Sequence, residues 1–140
     1  MATPYETVYD SFLDRTTDFN LVELDDYTLS KMLKSWLRTA IVNTRTSCDL
    51  SARDDEKEMF NDDLSDQDVE LLGMGMTLAW IDQCLNSSEN VLQFIGGKEE
   101  KYYSQANHIA ALRAMRDDIR IGMKRIHSYS TYKNNSYFNG

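Results

Sequence analysis

Apolar residues recur at alternating spacings of three and four along most of this chain, and almost no segment carries the strict alternation of a half-buried strand. The clearest series, Ile109, Leu112, Arg116, Ile119, Met123 and Ile126, is a heptad-like seam for pairing one helix with another. Chains patterned this way bury their stripes against one another. The expected fold is all-α, a compact bundle of about four to five helices with an extended C-terminal tail. At 140 residues the chain fits one core, divided here into a helical body, 1–128, and an aromatic and polar tail, 129–140.

Thr3-Pro4-Tyr5-Glu6 has the form of a helix start, with Thr3 as N-cap, Pro4 at the first helical position and Glu6 completing a capping box. Tyr5, Val8, Tyr9, Phe12 and Leu13 then follow at helical spacing to about Arg15. Residues 16 to 25 read as a loop whose Phe19, Leu21 and Val22 lie down on the core. After Asp25-Asp26, the series Leu29, Met32, Leu33, Trp36, Leu37, Ala40 and Ile41 marks a second helix to about Thr44.

Residues 45 to 63 form a polar connection anchored only by Met59-Phe60, and its length points to a short helix around 54 to 60. A third helix opens at Ser65-Asp66-Gln67-Asp68, with Val69, Leu72, Met76, Ala79, Trp80 and Cys84 inward. Gly73 and Gly75 inside it each cost about 1 kcal/mol relative to Ala and mark a close helix crossing or a bend. A separate helical turn from Ser88 to Ile95 stops at Gly96-Gly97. The last helix starts at Ser104 and gives way after Ser128 to the tail, whose composition suits a segment that orders on a partner.

No apolar run approaches the roughly 20 residues of a membrane span, and Met1 to Glu6 lacks a basic segment followed by an apolar one. No membrane association is expected, and synthesis is expected to end in the cytoplasm. Cys48 and Cys84 have no partner spacing for a disulfide framework or a zinc site and are expected to be reduced. The carboxylates from Asp54 to Glu70 are numerous enough for a hard cation, but no start position supplies EF-hand ligand spacing. A solvated face with helix-start carboxylates is the expected use. His108 and His127 stand without a nucleophile or orienting acid in motif context. The chain is therefore expected to be no enzyme and to need no metal or cofactor.

Net charge is −8 and unevenly spread. Residues 1–97 carry 7 Lys/Arg against 19 Asp/Glu, whereas residues 98–140 carry 8 against 4. Asymmetry of this kind marks an interaction surface. In the last helix Arg113, Arg116, Arg120 and Lys124 form a stripe with Arg125 beside it. Asp117 and Asp118 interrupt it and no recognition-helix motif accompanies it, so acidic partner surfaces suit it better than nucleic acid. A solvated helix face is the alternative. Arg116 falls on the apolar seam, where it either snorkels or meets a carboxylate. Tyr129, Tyr132, Tyr137 and Phe138 supply aromatic anchors in the tail.

Residues 49–55 (Asp-Leu-Ser-Ala-Arg-Asp-Asp), 60–66 (Phe-Asn-Asp-Asp-Leu-Ser-Asp) and 103–108 (Tyr-Ser-Gln-Ala-Asn-His), with the opening Tyr9-Asp10-Ser11-Phe12-Leu13, resemble the head-to-tail connector proteins of tailed bacteriophages of Gram-positive hosts. The resemblance runs to about residue 130 and rests on the order of these segments. Relatives stop soon after a stretch like Ser128-Tyr129-Ser130, so the last residues depart from the pattern. The resemblance implies a virion structural protein of the neck, assembled in the host bacterial cytoplasm. It implies a homo-oligomeric ring, twelvefold, that joins the portal protein of the DNA-filled head to the next neck or tail protein. Genomic DNA would pass through its channel without sequence-specific binding. On this view Arg113, Arg116, Arg120, Lys124, Arg125 and the tail aromatics contact portal or a neighbouring subunit. From a different class, a small terminase-like protein would use the same stripe to bind nucleic acid.

Overall fold

The computed structural model describes residues 2–16, 25–46, 49–95 and 99–134, with side chains described outside 87–105, 127 and 129–134. The loop residues Phe19, Leu21 and Val22, the Gly96-Gly97 stop, Cys48, Tyr137 and Phe138 lie outside that set. Among the described residues are four helices: α1 (Tyr5–Arg15), α2 (Asp26–Asn43), α3 (Asp66–Ile95) and α4 (Glu99–Asn134). Three two-residue strands accompany them, β1 (Thr3–Pro4), β2 (Arg53–Asp54) and β3 (Met59–Phe60). The helical-bundle architecture is the expected one, with four helices.

Helix α3 is the central element, packed by α1, α2 and α4. At 1.5 Å per residue its 30 residues span about 45 Å and the 36 of α4 about 54 Å. Both outrun α1 and α2, with 11 and 18 residues. One core joins Val8 and Phe12 of α1, Leu33, Trp36, Leu37 and Ala40 of α2, Leu72, Met76, Trp80 and Ile81 of α3, and Ile109, Leu112 and Ile119 of α4. Both tryptophans are buried, as their helix phases require. The two α3 glycines are crossing points: a Cβ at Gly73 would fall on the Ser11 side chain and 3.4 Å from the Phe12 nitrogen, and one at Gly75 would lie 3.0 Å from Ala40 Cβ. Each lets one neighbouring helix approach, Gly73 for α1 and Gly75 for α2.

The N-terminus departs from the expected capping box. Pro4 is the N-cap of α1 and makes no side-chain cap, while Thr3 belongs to β1. The strands form an antiparallel sheet in the order β1-β3-β2, pairing Thr3 with Phe60 and Arg53 with Phe60. The Thr3 hydroxyl donates to the Asp62 carbonyl (3.1 Å) and accepts from the Leu64 N–H (2.9 Å), and the Tyr5 N–H donates to the Glu58 carbonyl (2.8 Å). Distant backbone thus satisfies groups that a local cap would otherwise serve. Thr3→Val is expected to destabilise by about 1–3 kcal/mol, since it leaves the Leu64 N–H without its buried acceptor. Urea unfolding checks this, and an unchanged midpoint would mean that water replaces the hydroxyl.

Residues 54 to 60 form a hairpin rather than the expected short helix. Asp54 Oδ1 accepts from the Glu56 and Lys57 N–H groups (3.0 and 3.1 Å), a local turn that competes with helix. Glu58 completes it at φ 55°, and its carboxylate meets Lys34 at 2.8 Å. Helix α2 starts where expected, and Asp25 caps it, accepting from the Thr28 N–H at 3.0 Å.

Three helix boundaries also differ from expectation. The Ser88–Ile95 turn is the end of α3, which runs unbroken because Asn86-Ser87-Ser88 contains no residue that stops a helix outright. Helix α4 starts at Glu99 rather than Ser104. It also continues to Asn134, past the boundary placed at 128, so the first six tail residues are helical. None of those six is Gly or Pro, and each added residue extends an existing helix at little cost.

Candidate functional site

The cationic residues of α4 are placed by its seam. Ile109, Leu112 and Ile119 are buried against the core while Met123 and Ile126 are half-buried, which turns Arg113, Arg120 and Lys124 out to solvent. Arg125 is exposed too, about 100° round the helix from Lys124. Arg116 sits apart from them. Its side chain is 26% exposed, its Nε lies 3.9 Å from Asp117 Oδ1, and that nitrogen is buried without a hydrogen-bond partner. The stem therefore serves packing while the charge is only loosely met, so Arg116 is not part of the open ridge. Tyr129 and Tyr132 lie on the last turns of α4 by backbone.

Lys124 also lines a groove of about 440 Å³ with Met123 and Ser128 of α4, Leu71 of α3, and Asn43, Thr44 and Arg45 at the end of α2. Arg45 and Lys124 are exposed at its rim, Leu71 and Met123 form an apolar floor, and the Thr44 hydroxyl is buried without a hydrogen-bond partner. Sequence reasoning left Arg45 in a polar connection. No local signal could have joined it to Lys124, because only the packing of α2 and α4 on α3 brings the two together.

A smaller cavity, about 70 Å³, lies between α1, α2 and the hairpin, lined by Tyr5, Tyr9, Lys34, Arg38, Arg53 and Asp55 among others. The Tyr5 hydroxyl donates to Asp55 Oδ1 (2.6 Å), which also accepts from Arg53 Nε (3.3 Å), and the bond from Tyr5 holds the Asp55 carboxyl below its usual range. The Tyr9 hydroxyl is buried without a partner, and burial with the nearby Glu58 and Asp55 charges pushes it up to about 12. Burial raises Tyr5 as well. Both phenols keep their protons in the folded chain past about pH 10, where an unfolded chain releases them. Their contribution to stability is complete below that pH and declines as pH rises toward 12. Melting temperatures measured from pH 9 to 12 are expected to fall more gently for Tyr9→Phe than for the unaltered protein, and parallel curves would show that Tyr9 is solvated.

Several carboxylates of the acidic region have separate roles. Asp54 holds the turn, Asp55 holds Tyr5, Glu58 meets Lys34, Glu70 pairs with Arg15 across α1 and α3, and Asp68 is buried in the first turn of α3. Among the described residues no group of three or more His, Cys, Asp or Glu converges on one point. His108 is exposed, as are Asp117 and Asp118, and Cys84 is half-buried with its thiol pushed up by burial. No described helix is long and apolar enough to cross a membrane.

No family model, curated protein or solved structure matches this chain.

Proposed function

We propose that this chain is a structural protein of a tailed-phage particle, a neck adaptor that assembles as a ring and joins the portal of the head to the tail. The observation that carries this reading is the solvent-facing cationic ridge of α4, Arg113, Arg120 and Lys124, which follows a stretch, residues 1–97, in which acidic residues outnumber basic ones by 19 to 7. Such a ridge suits an acidic protein surface, and it belongs to a chain whose segments resemble connectors. The aromatic residues from Tyr129 to Phe138 would add contact area at small rotamer cost. A predominantly negative body also suits a DNA conduit, since a wall that held phosphates tightly would slow ejection.

The experiment is negative-stain microscopy of the purified protein, alone and mixed with the portal protein of the same genome. Rings seated on portal are expected, and they should be lost or sparse for a chain ending after Ser128, which removes the end of α4 as well as the tail. Absence of any portal complex, together with salt-dependent binding of duplex DNA by the isolated protein, would transfer the ridge to the nucleic-acid-binding alternative.

A further inference from the structure

Two surfaces of opposite charge lie on different flanks of α3. The first is the groove at the end of α2, where exposed Arg45 and Lys124 stand over Leu71 and Met123, and no carboxylate is among its lining residues. The second is the outer edge of α1. Thr7, Asp10 and Asp14 are exposed at offsets of three and seven, one stripe of a helix, and the surface continues over Asp66 and Glu70 of α3 as an open groove of about 610 Å³. Arg15, the cation among its lining residues, is already paired with Glu70.

The helix geometry sets where these surfaces point. Gly73 faces α1 and Gly75 faces α2, and residues two apart on a helix are separated by about 200° around its axis. The acidic edge of α1 and the cationic groove beside α2 therefore project from opposite flanks of α3. Complementary patches on opposite flanks of one molecule satisfy each other between molecules, head to tail, and such contacts close into a ring or run on as a filament.

We infer that the Arg45–Lys124 groove is a self-association surface that seats the acidic α1 edge, Asp10 and Asp14, of a second copy of this chain. The inference rests on the ring reading above for closure and supplies the two faces that build it. Half-buried Met123 provides apolar surface to cover. The charges steer approach and fix orientation, so association weakens as salt shortens the reach of exposed charges.

Charge exchange tests it, using the full chain in sedimentation velocity at about 50 and 500 mM salt, where screening lengths differ severalfold. The unaltered protein is expected to assemble at the lower salt. Asp10→Lys with Asp14→Lys, and separately Arg45→Glu with Lys124→Glu, should each weaken assembly by about tenfold or more. Both the fourfold variant and an equal mixture of the two double variants should recover it, because each restores opposite charges across the contact. All four positions are exposed, so circular dichroism should show unchanged helix content. A monomeric unaltered protein at low salt, double variants that assemble normally, or a folded fourfold variant that fails to recover would each overturn the inference. Portal-bound rings built from a chain with no self-association of this kind would overturn the interface and leave the adaptor reading standing. Charge-dependent assembly without portal binding would do the reverse.

Discussion

Trp36→Ala is expected to cost about 3–5 kcal/mol, the range for truncating a buried large aromatic, and to lower the melting temperature by roughly 10 °C or more for a domain of this size. Trp36 is 2% exposed and joins three helices at once. From α2 its ring meets Phe12 of α1 at 5.3 Å with the planes tilted by 47°, and its indole N–H donates to Gln83 Oε1 of α3 at 2.9 Å. Alanine opens a cavity where α1, α2 and α3 meet, within the shared core. Trp36→Phe separates the contributions. It keeps a six-membered ring and gives up the hydrogen bond and the rest of the indole, and because Gln83 is exposed and can turn to water, the loss is expected at about 1–2 kcal/mol, well below that of alanine. Thermal melts followed by circular dichroism distinguish the two variants, and equal midpoints for both would show that packing is not what Trp36 supplies.

Gly75→Leu is expected to be comparably damaging, at about 3 kcal/mol or more, through overpacking rather than cavity formation. A Cβ at position 75 would lie 2.6 Å from Thr44 Oγ1, 3.0 Å from Ala40 Cβ and 3.4 Å from Ala40 Cα. The Ala40 atoms belong to or adjoin the α2 backbone, so no rotamer change relieves the contact and α2 must move away from α3. Alanine at the same position sets a helix-propensity gain of about 1 kcal/mol against overpacking of about 1–3 kcal/mol, leaving a net loss of up to about 2 kcal/mol. Gly122 of α4 is the control. There a Cβ would meet only Met74 Cε, at 3.3 Å, the flexible end of a side chain, so Gly122→Ala is expected to gain most of the propensity term. If Gly75→Leu and Gly122→Ala shifted the denaturation midpoint in the same direction, the close crossing of α2 and α3 would be refuted.

Helix identity and phase were legible in the sequence because their periodicity is local. Val8 and Phe12, Leu33, Trp36 and Ala40, Leu72, Met76 and Trp80, and Ile109, Leu112 and Ile119 each repeat within a few residues, and all are buried. The start of α2 at Asp25-Asp26 was legible for the same reason, and there Asp25 caps the Thr28 N–H three residues on. The exposed positions of Arg120 and Lys124 followed from the seam next to them. Arg116 showed its conflict in advance, as a charge on an apolar stripe.

Features whose partners are distant in the chain were decided by tertiary structure alone. Thr3 has the composition of an N-cap, yet its hydroxyl serves Asp62 and Leu64, 59 and 61 residues away. Residues 53–60 have no strand period that two-residue strands could display, and their pairing is completed by β1 from the other side of α1 and α2. The glycines of α3 declared a close approach without naming what approaches, because an absent side chain carries no information about its neighbour. Arg45 joined Lys124 for a similar reason: a groove is a property of how three helices pack. In this protein sequence determined what each helix would bury, a local consequence of 3.6 residues per turn. The partners met across those faces, and the charged surfaces left outside, depended on contacts whose loop-closure cost and packing gain are set only when the whole chain folds.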